Sequence, residues 1–345
     1  MDIILLMIAF AVLYKAKYIP DGGINNDYLD KAQTTAINGI FVLFVFLRHF
    51  SQYITYDEAD AIFNYVDVRL GQLIVVTFLF YSGYGIRVSI QKKGIDYVRG
   101  FPLKRIFKVW YHFAIVVALF IVVNTIMHQN YDFVKNILAF SGWTSIGNSN
   151  WYIFTVLFLY ISTYIAYSIC AERPDKGVFL LILMCMGYYI VLRNVKGFFW
   201  YNTVFSYPMG MLYAQHELKL KSFVQKSKKH YWSLFVGFVM MTAILYYVET
   251  KAVHGKTILY WMLSCGFMAV ILLLTMKLKL NNRALMLLGT YTFEIYILQR
   301  IPMIMLQEHI ADKRVYFSAC FIITLIMAVG LKKLTNKTDR VFRLN

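Results

Sequence analysis

An all-α polytopic bundle of about ten or eleven transmembrane helices is the fold this sequence predicts, and three observations predict it. The 345 residues are 59% apolar and only 15% charged, with a mean hydropathy of +0.56, far from the roughly 45–50% apolar and 25% charged of soluble domains. The apolar residues gather into runs close to the ~20 residues that a bilayer-spanning helix needs. The basic residues gather into alternate connections: 25 of the 35 Lys and Arg lie on 15–35, 87–108, 171–177, 216–230, 277–283 and 332–345. By the positive-inside rule these segments are cytoplasmic and the C-terminus is inside. The net charge of +17 is therefore read as topology rather than as a nucleic-acid footprint, because no single exposed face collects it. A multi-pass protein of the cell membrane follows, with the lipid bilayer as partner and 1–345 as one membrane-embedded domain. Cys170, Cys185, Cys265 and Cys320 sit in apolar runs at no metal-ligand spacing, so neither a metal site nor a disulfide framework is expected.

Taken in order, the run 2–18 lacks a basic leader and a small-residue cleavage site, so it reads as a short retained helix. The run 36–54 contains Asn38 and ends in Arg48 and His49. The run 69–87 contains Ser82 and Gly83 and leads into 87–108, where seven basic residues face the lone acid Asp96. Such a loop suits an anion, and it also suits a topology anchor. After 107–127 comes a long extracytoplasmic connection, 128–150, rich in Asn, Ser, Gly and aromatics. With Asn150, Trp151 and Tyr152 it combines flat rings and amides in a way that fits a polar, ring-shaped ligand, and equally an interfacial aromatic belt. The runs 151–170, 178–192, 198–214, 231–248 and 257–276 follow. The run 285–307 carries Glu294, Tyr296, Gln299 and Arg300, and 315–331 completes the bundle. No helix face carries a dimerisation motif, so the oligomeric state is left open.

Ionisable groups inside membrane segments cost roughly 2.5–3.5 kcal/mol each and are usually retained for pairing or function. His49 lies about 20 Å from Ala36, beyond the midplane of a hydrocarbon core about 30 Å thick. An imidazole there can take a proton from an attacking hydroxyl and return it later. Glu294 needs a partner at its depth, and Arg48, His49 and Arg300 are the candidates. A buried set of this kind also fits a glycolipid or polysaccharide transporter, which stands as the alternative reading.

Five ordered blocks now carry a resemblance: NGIFVLFVFLRHF (38–50), FLFYSGYGI (78–86), FPLKRIFK (101–108), NSNWYIF (148–154) and LGTYTFEIYIL (288–298). Through them the chain resembles the acyltransferase-3 family of integral membrane O-acyltransferases, most closely members that modify bacterial capsular or surface polysaccharides. The resemblance implies an acyl-CoA donor, most often acetyl-CoA, and a polysaccharide or lipid-linked glycan hydroxyl as acceptor. It implies that His49 is the catalytic histidine, with Glu294 orienting the central cluster. It also implies that Arg105 and Lys108, helped by Lys104, hold the CoA phosphates, and that Ser82, Gly83, Tyr296 and Gln299 line the interior. Asn38 stands where the family usually has a cation, Lys108 where Arg is common, and Gln299 where His is common. Arg48 is the expected substitute for the cation missing at Asn38. Asn150, Trp151 and Tyr152 are expected at the acceptor.

Overall fold

The computed structural model describes residues 1–345 except 21, 22, 253, 343 and 345. Each of the eleven apolar runs contains helix, although the run 198–214 becomes an α-helix only from Ser206, and among the described residues eight helices are long and apolar enough to cross a membrane. They begin after α1 (Asp2–Leu13), which stops short of the expected span at Leu13. Next are α2 (Lys31–Phe50), α3 (Ala61–Leu70), α4 (Leu73–Lys93) and α5 (Ile95–Arg99). A π-helical segment, Pro102–Phe107, runs straight into α6 (Lys108–Ile126), making one apolar span from Pro102 to Ile126. The expected basic loop 87–108 is thus helical throughout except at Gly94 and Gly100, with Pro102 in a first turn, where its missing N–H costs nothing.

Beyond it lie α7 (Phe133–Ala139), α8 (Trp151–Ile169), α9 (Pro174–Val195), α10 (Ser206–Val224), α11 (Lys228–Lys251) and α12 (Lys256–Lys277). The tenth run is broken into α13 (Arg283–Thr290), α14 (Thr292–Leu298) and α15 (Arg300–Leu306), and α16 (Lys313–Val341) ends the bundle. A two-residue antiparallel pair, β1 (Lys17–Tyr18) with β2 (Leu278–Lys279), ties the chain start to the α12–α13 connection.

Polar side chains cap several of the helix starts. Asp30 accepts from the Gln33 N–H at 2.6 Å to cap α2, Asn282 accepts from the Ala284 N–H at 2.9 Å to cap α13, and Asp312 accepts from the Arg314 N–H at 2.9 Å to cap α16. Each removes an orphan donor, a contribution of about 1 kcal/mol.

Two helix pairs approach so closely that only glycine fits. A Cβ on Gly39 of α2 would lie 2.0 Å from the Leu285 carbonyl oxygen, and one on Gly289 would lie 1.8 Å from that of Thr35. The same reciprocity joins α4 and α10, where a Cβ on Gly83 or on Gly210 would lie 2.0 Å from the carbonyl oxygen of Tyr207 or Phe80. Bundles in lipid gain contact through such small residues, since burial against hydrocarbon brings little. The opposite case is α11, which buries only Tyr231 and Glu249 and turns Val236, Met240, Ile244 and Tyr247 outward.

Candidate active site

One face of α2 organises the interior. Asn38, Val42, Val45, His49 and Gln52 follow one another at steps of three and four residues, a single stripe on a 3.6-residue helix. Two chambers open along that stripe. The larger, 960 Å³, is lined by Asn38 and Val42 of α2, by Ser82, Tyr84, Ser89 and Lys92 of α4, and by Arg105, Tyr152, Tyr160, Glu294 and Lys332. Its cations are Lys31, Lys92, Arg105 and Lys332 against Asp30 and Glu294, so it is called here the basic chamber. The smaller, 490 Å³, is lined by Arg48, His49, Gln52, Gln72, Ser145, Asn148, Ser149, Asn150, Trp151 and Arg300, and is called the histidine chamber. No carboxylate is among the described residues lining it.

The chambers share Val45, Val75 and Tyr296. The order is the same on three elements. On α2 and the short turn that follows it, residue 42 and those before it face the basic chamber and residues 48 to 52 the histidine chamber. On α4 and the two residues before it, the basic chamber takes 78 to 92 and the histidine chamber takes 71 to 74. On the broken run, 289 to 294 lie on one side and Arg300 on the other. The chambers are therefore stacked end to end along the helix axes, with Val45, Val75 and Tyr296 as the wall between them. Asn38 and His49, eleven residues apart, are separated by about 16 Å of helix. On the wall, the Tyr296 ring meets the His49 ring at 5.8 Å and 46°, and it meets the Tyr152 ring edge-on at 5.3 Å and 69°.

Around His49, the Nδ1 atom lies 3.4 Å from the Ser149 hydroxyl. Ser149 is held by a folded loop. Gly142 (φ +77°) and Gly147 (φ +103°) take the left-handed backbone that glycine tolerates. Asn124 donates to the Ile146 carbonyl at 2.8 Å, and Asn150 donates to the Gly142 carbonyl at 2.9 Å. Arg48 donates to Asp67 at 2.6 Å, and Tyr56 donates to the same Asp67 oxygen at 3.0 Å. Arg300 donates to Tyr53 at 3.1 Å and to Gln52 at 2.6 Å.

In the basic chamber, Arg105 donates to the Tyr97 hydroxyl at 2.8 Å, and the Ser82 and Tyr160 hydroxyls lie 3.1 Å apart. The Asn38 side-chain oxygen is buried with no hydrogen-bond partner. Glu294 pairs with Lys332 at 3.3 Å, and Lys332 also donates to the Thr290 carbonyl.

Several expectations are corrected by this placement. Glu294 is not beside His49: two residues before the dividing Tyr296, it faces the basic chamber and takes Lys332 as partner, a cation from a distant helix. Arg48 does not stand in for a cation at Asn38, because ten residues of helix put it about 15 Å further along, in the histidine chamber. Lys104 and Lys108 do not line the basic chamber. Lys108 is bound to Asp339 at 2.7 Å, since the π-helical turn aims only Arg105 of the three inward.

Tyr152 parts from Asn150 and Trp151, because neighbouring residues on α8 point about 100° apart. They face the histidine chamber and it faces the basic one. Gly83 packs on α10 rather than lining the interior, and the fully buried Gln299 donates to the Tyr296 carbonyl at 3.1 Å, outside both linings. Ser149, Tyr160 and Lys332 are site residues that sequence reading missed. Only Ser149 carried a signal, lying inside the NSNW block. Among the described residues no cluster of His, Cys, Asp or Glu is arranged to hold a metal ion.

Searches of curated proteins and of solved structures give no match. A family model described as an acyltransferase domain, that of acyltransferase-3, matches residues 34–333. That stretch holds the α2 stripe, the whole histidine chamber, the basic chamber apart from Leu29, Asp30 and Lys31, and the wall between them, and the chain belongs to the acyltransferase-3 family of membrane acyltransferases.

Proposed function

We propose that the protein transfers an acyl group, most often acetyl, from acyl-CoA to a hydroxyl of a cell-surface or capsular polysaccharide or its lipid-linked precursor. The observation that carries this reading is the stacking of a cation-rich chamber and a histidine chamber across one ring. The basic chamber matches a polyanionic donor, with Arg105, Lys92 and Lys31 available to its phosphates. With the basic connections inside, this chamber opens to the cytoplasm, where acyl-CoA is found. The histidine chamber then faces outward, and its uncharged amides, together with Trp151 and Phe199, suit a sugar ring.

In the chemical step His49 is the general base. With Ser149 accepting from Nδ1–H, the Nε2 lone pair takes the proton of the acceptor hydroxyl as its oxygen attacks the thioester carbonyl. The C–O bond forms, the C–S bond breaks, and the imidazolium returns its proton to the departing CoA thiolate. Membranes carrying the protein should move label from [¹⁴C]acetyl-CoA into glycan. His49→Ala should lower that transfer by about 100-fold or more while the protein stays at its normal membrane level. Transfer at the wild-type rate by His49→Ala would remove this mechanism.

A further inference from the structure

The two chambers pose a problem for acyl transfer that the wall itself answers. His49 lines one chamber and Lys31, Lys92, Arg105 and Lys332 line the other, so a donor held by those four cations reaches the base only past Val45, Val75 and Tyr296, which border both. Both spaces are large enough for many waters, each needing about 30 Å³.

Of its three members, only Tyr296 is built to move. Val45 and Val75 are buried, β-branched and seated in helices of 20 and 21 residues, and such side chains have one strongly preferred χ1 in a helix. Tyr296 sits on the seven-residue α14, which is interrupted at Tyr291 and again at Gln299. Its hydroxyl is buried but reaches no partner at hydrogen-bond geometry, although the Ser149 side chain and the Tyr152 backbone stand next to it. Ring contacts with His49 and Tyr152 hold it.

We infer that Tyr296 is a movable partition that admits the donor thioester to His49 only during transfer, and so determines that a sugar hydroxyl rather than water receives the acyl group. This rests on the acyl-transfer reading above. Water attacking the same carbonyl, with its proton passing to His49, would break the C–S bond and give free carboxylic acid and CoA thiol. Keeping base and thioester apart until the acceptor is seated suppresses that reaction.

The test uses the full chain in proteoliposomes, with two readouts. The first is release of CoA thiol from acetyl-CoA with no acceptor present; the second is glycerol permeation by stopped-flow light scattering, which needs no chemistry. Tyr296→Ala should raise thiol release about tenfold or more over wild type and let glycerol through. Val75→Ala, which removes part of the wall from another helix, should do both to a smaller extent. Tyr296→Phe keeps the ring and should remain sealed to glycerol. If Tyr296→Ala disturbs His49 and releases no thiol, the glycerol leak still decides. Thiol release and glycerol permeation at wild-type levels in both alanine variants would overturn the partition. Failure of the wild type to move acetyl groups from acetyl-CoA into native glycan would instead overturn the activity, and the glycerol result would stand apart from it.

Discussion

The Glu294–Lys332 pair shows how single residues decide the character of the interior. Glu294 is buried, and its carboxylate needs a cation wherever it sits. Lys332→Met should leave it uncompensated and lower stability by about 2 kcal/mol, less than the ~3–5 of a fully buried pair because Lys332 is partly exposed. Adding Glu294→Gln should recover most of that loss. Thermal unfolding in detergent reads both, and a single and a double variant of equal stability would show that the pair is not coupled.

At this scale the sequence marked His49, because a histidine deep in an apolar run is costly, and singled out Arg105 only through the resemblance carried by FPLKRIFK. The partner of Glu294 was not marked, because position 332 sits in what reads as a cytoplasmic tail. Only the length of α16 brings it to the basic chamber. Tyr152 was misplaced for the same kind of reason: adjacency in a motif says nothing about which side of a helix each residue takes.

At the scale of elements, the two glycine contacts fix the frame that holds the site. The α2–α13 crossing sets the distance from the α2 stripe to the broken run that carries Tyr296, and a methyl at Gly289 would meet the Thr35 carbonyl at 1.8 Å. Gly289→Ala should therefore push the helices apart and cost roughly 1–3 kcal/mol or more, the range for overpacking a rigid site. Gly237→Ala, on the peripheral α11 where a Cβ meets nothing, should be neutral or mildly stabilising. Equal melting temperatures for the two variants would contradict a glycine-fitted frame.

Helix positions were legible from the apolar runs. The breaks were not, because residues 285–307 keep a continuous apolar pattern through the interruptions at Tyr291 and Gln299. The π-helical turn at Pro102 was equally silent, since its basic residues read as loop.

For the molecule as a whole, charge on the connections ties the start of α16 to the connection after α2. Lys313 at the start of α16 binds both Asp57 and Asp60 at 2.7 Å. Burial alone would raise the Asp60 carboxyl, but hydrogen bonds from Lys313, from the Met1 amino group and from the Asp57 backbone N–H outweigh it and hold it at about 2, below its ordinary 3.8. A depressed carboxyl contributes stability that is full above the ordinary value and fades as pH falls through the folded one. The melting temperature should thus be insensitive to this group at neutral pH and drop between about pH 4 and 2. Asp60→Asn should melt lower at neutral pH and lack that component of the acid drop; an unchanged acid profile would remove Asp60 as its cause.

The proposed transfer would join the two chambers into one path, and its central claim is that His49 serves the esterification of a surface glycan. The most direct measurement is the proton NMR spectrum of surface polysaccharide from cells lacking the gene, complemented with wild type or with His49→Ala. Acyl signals should vanish without the gene, return with wild type and stay absent with normally expressed His49→Ala. Ester signals indifferent to the gene, with a changed amount of exported polymer, would contradict the account and favour a transporter.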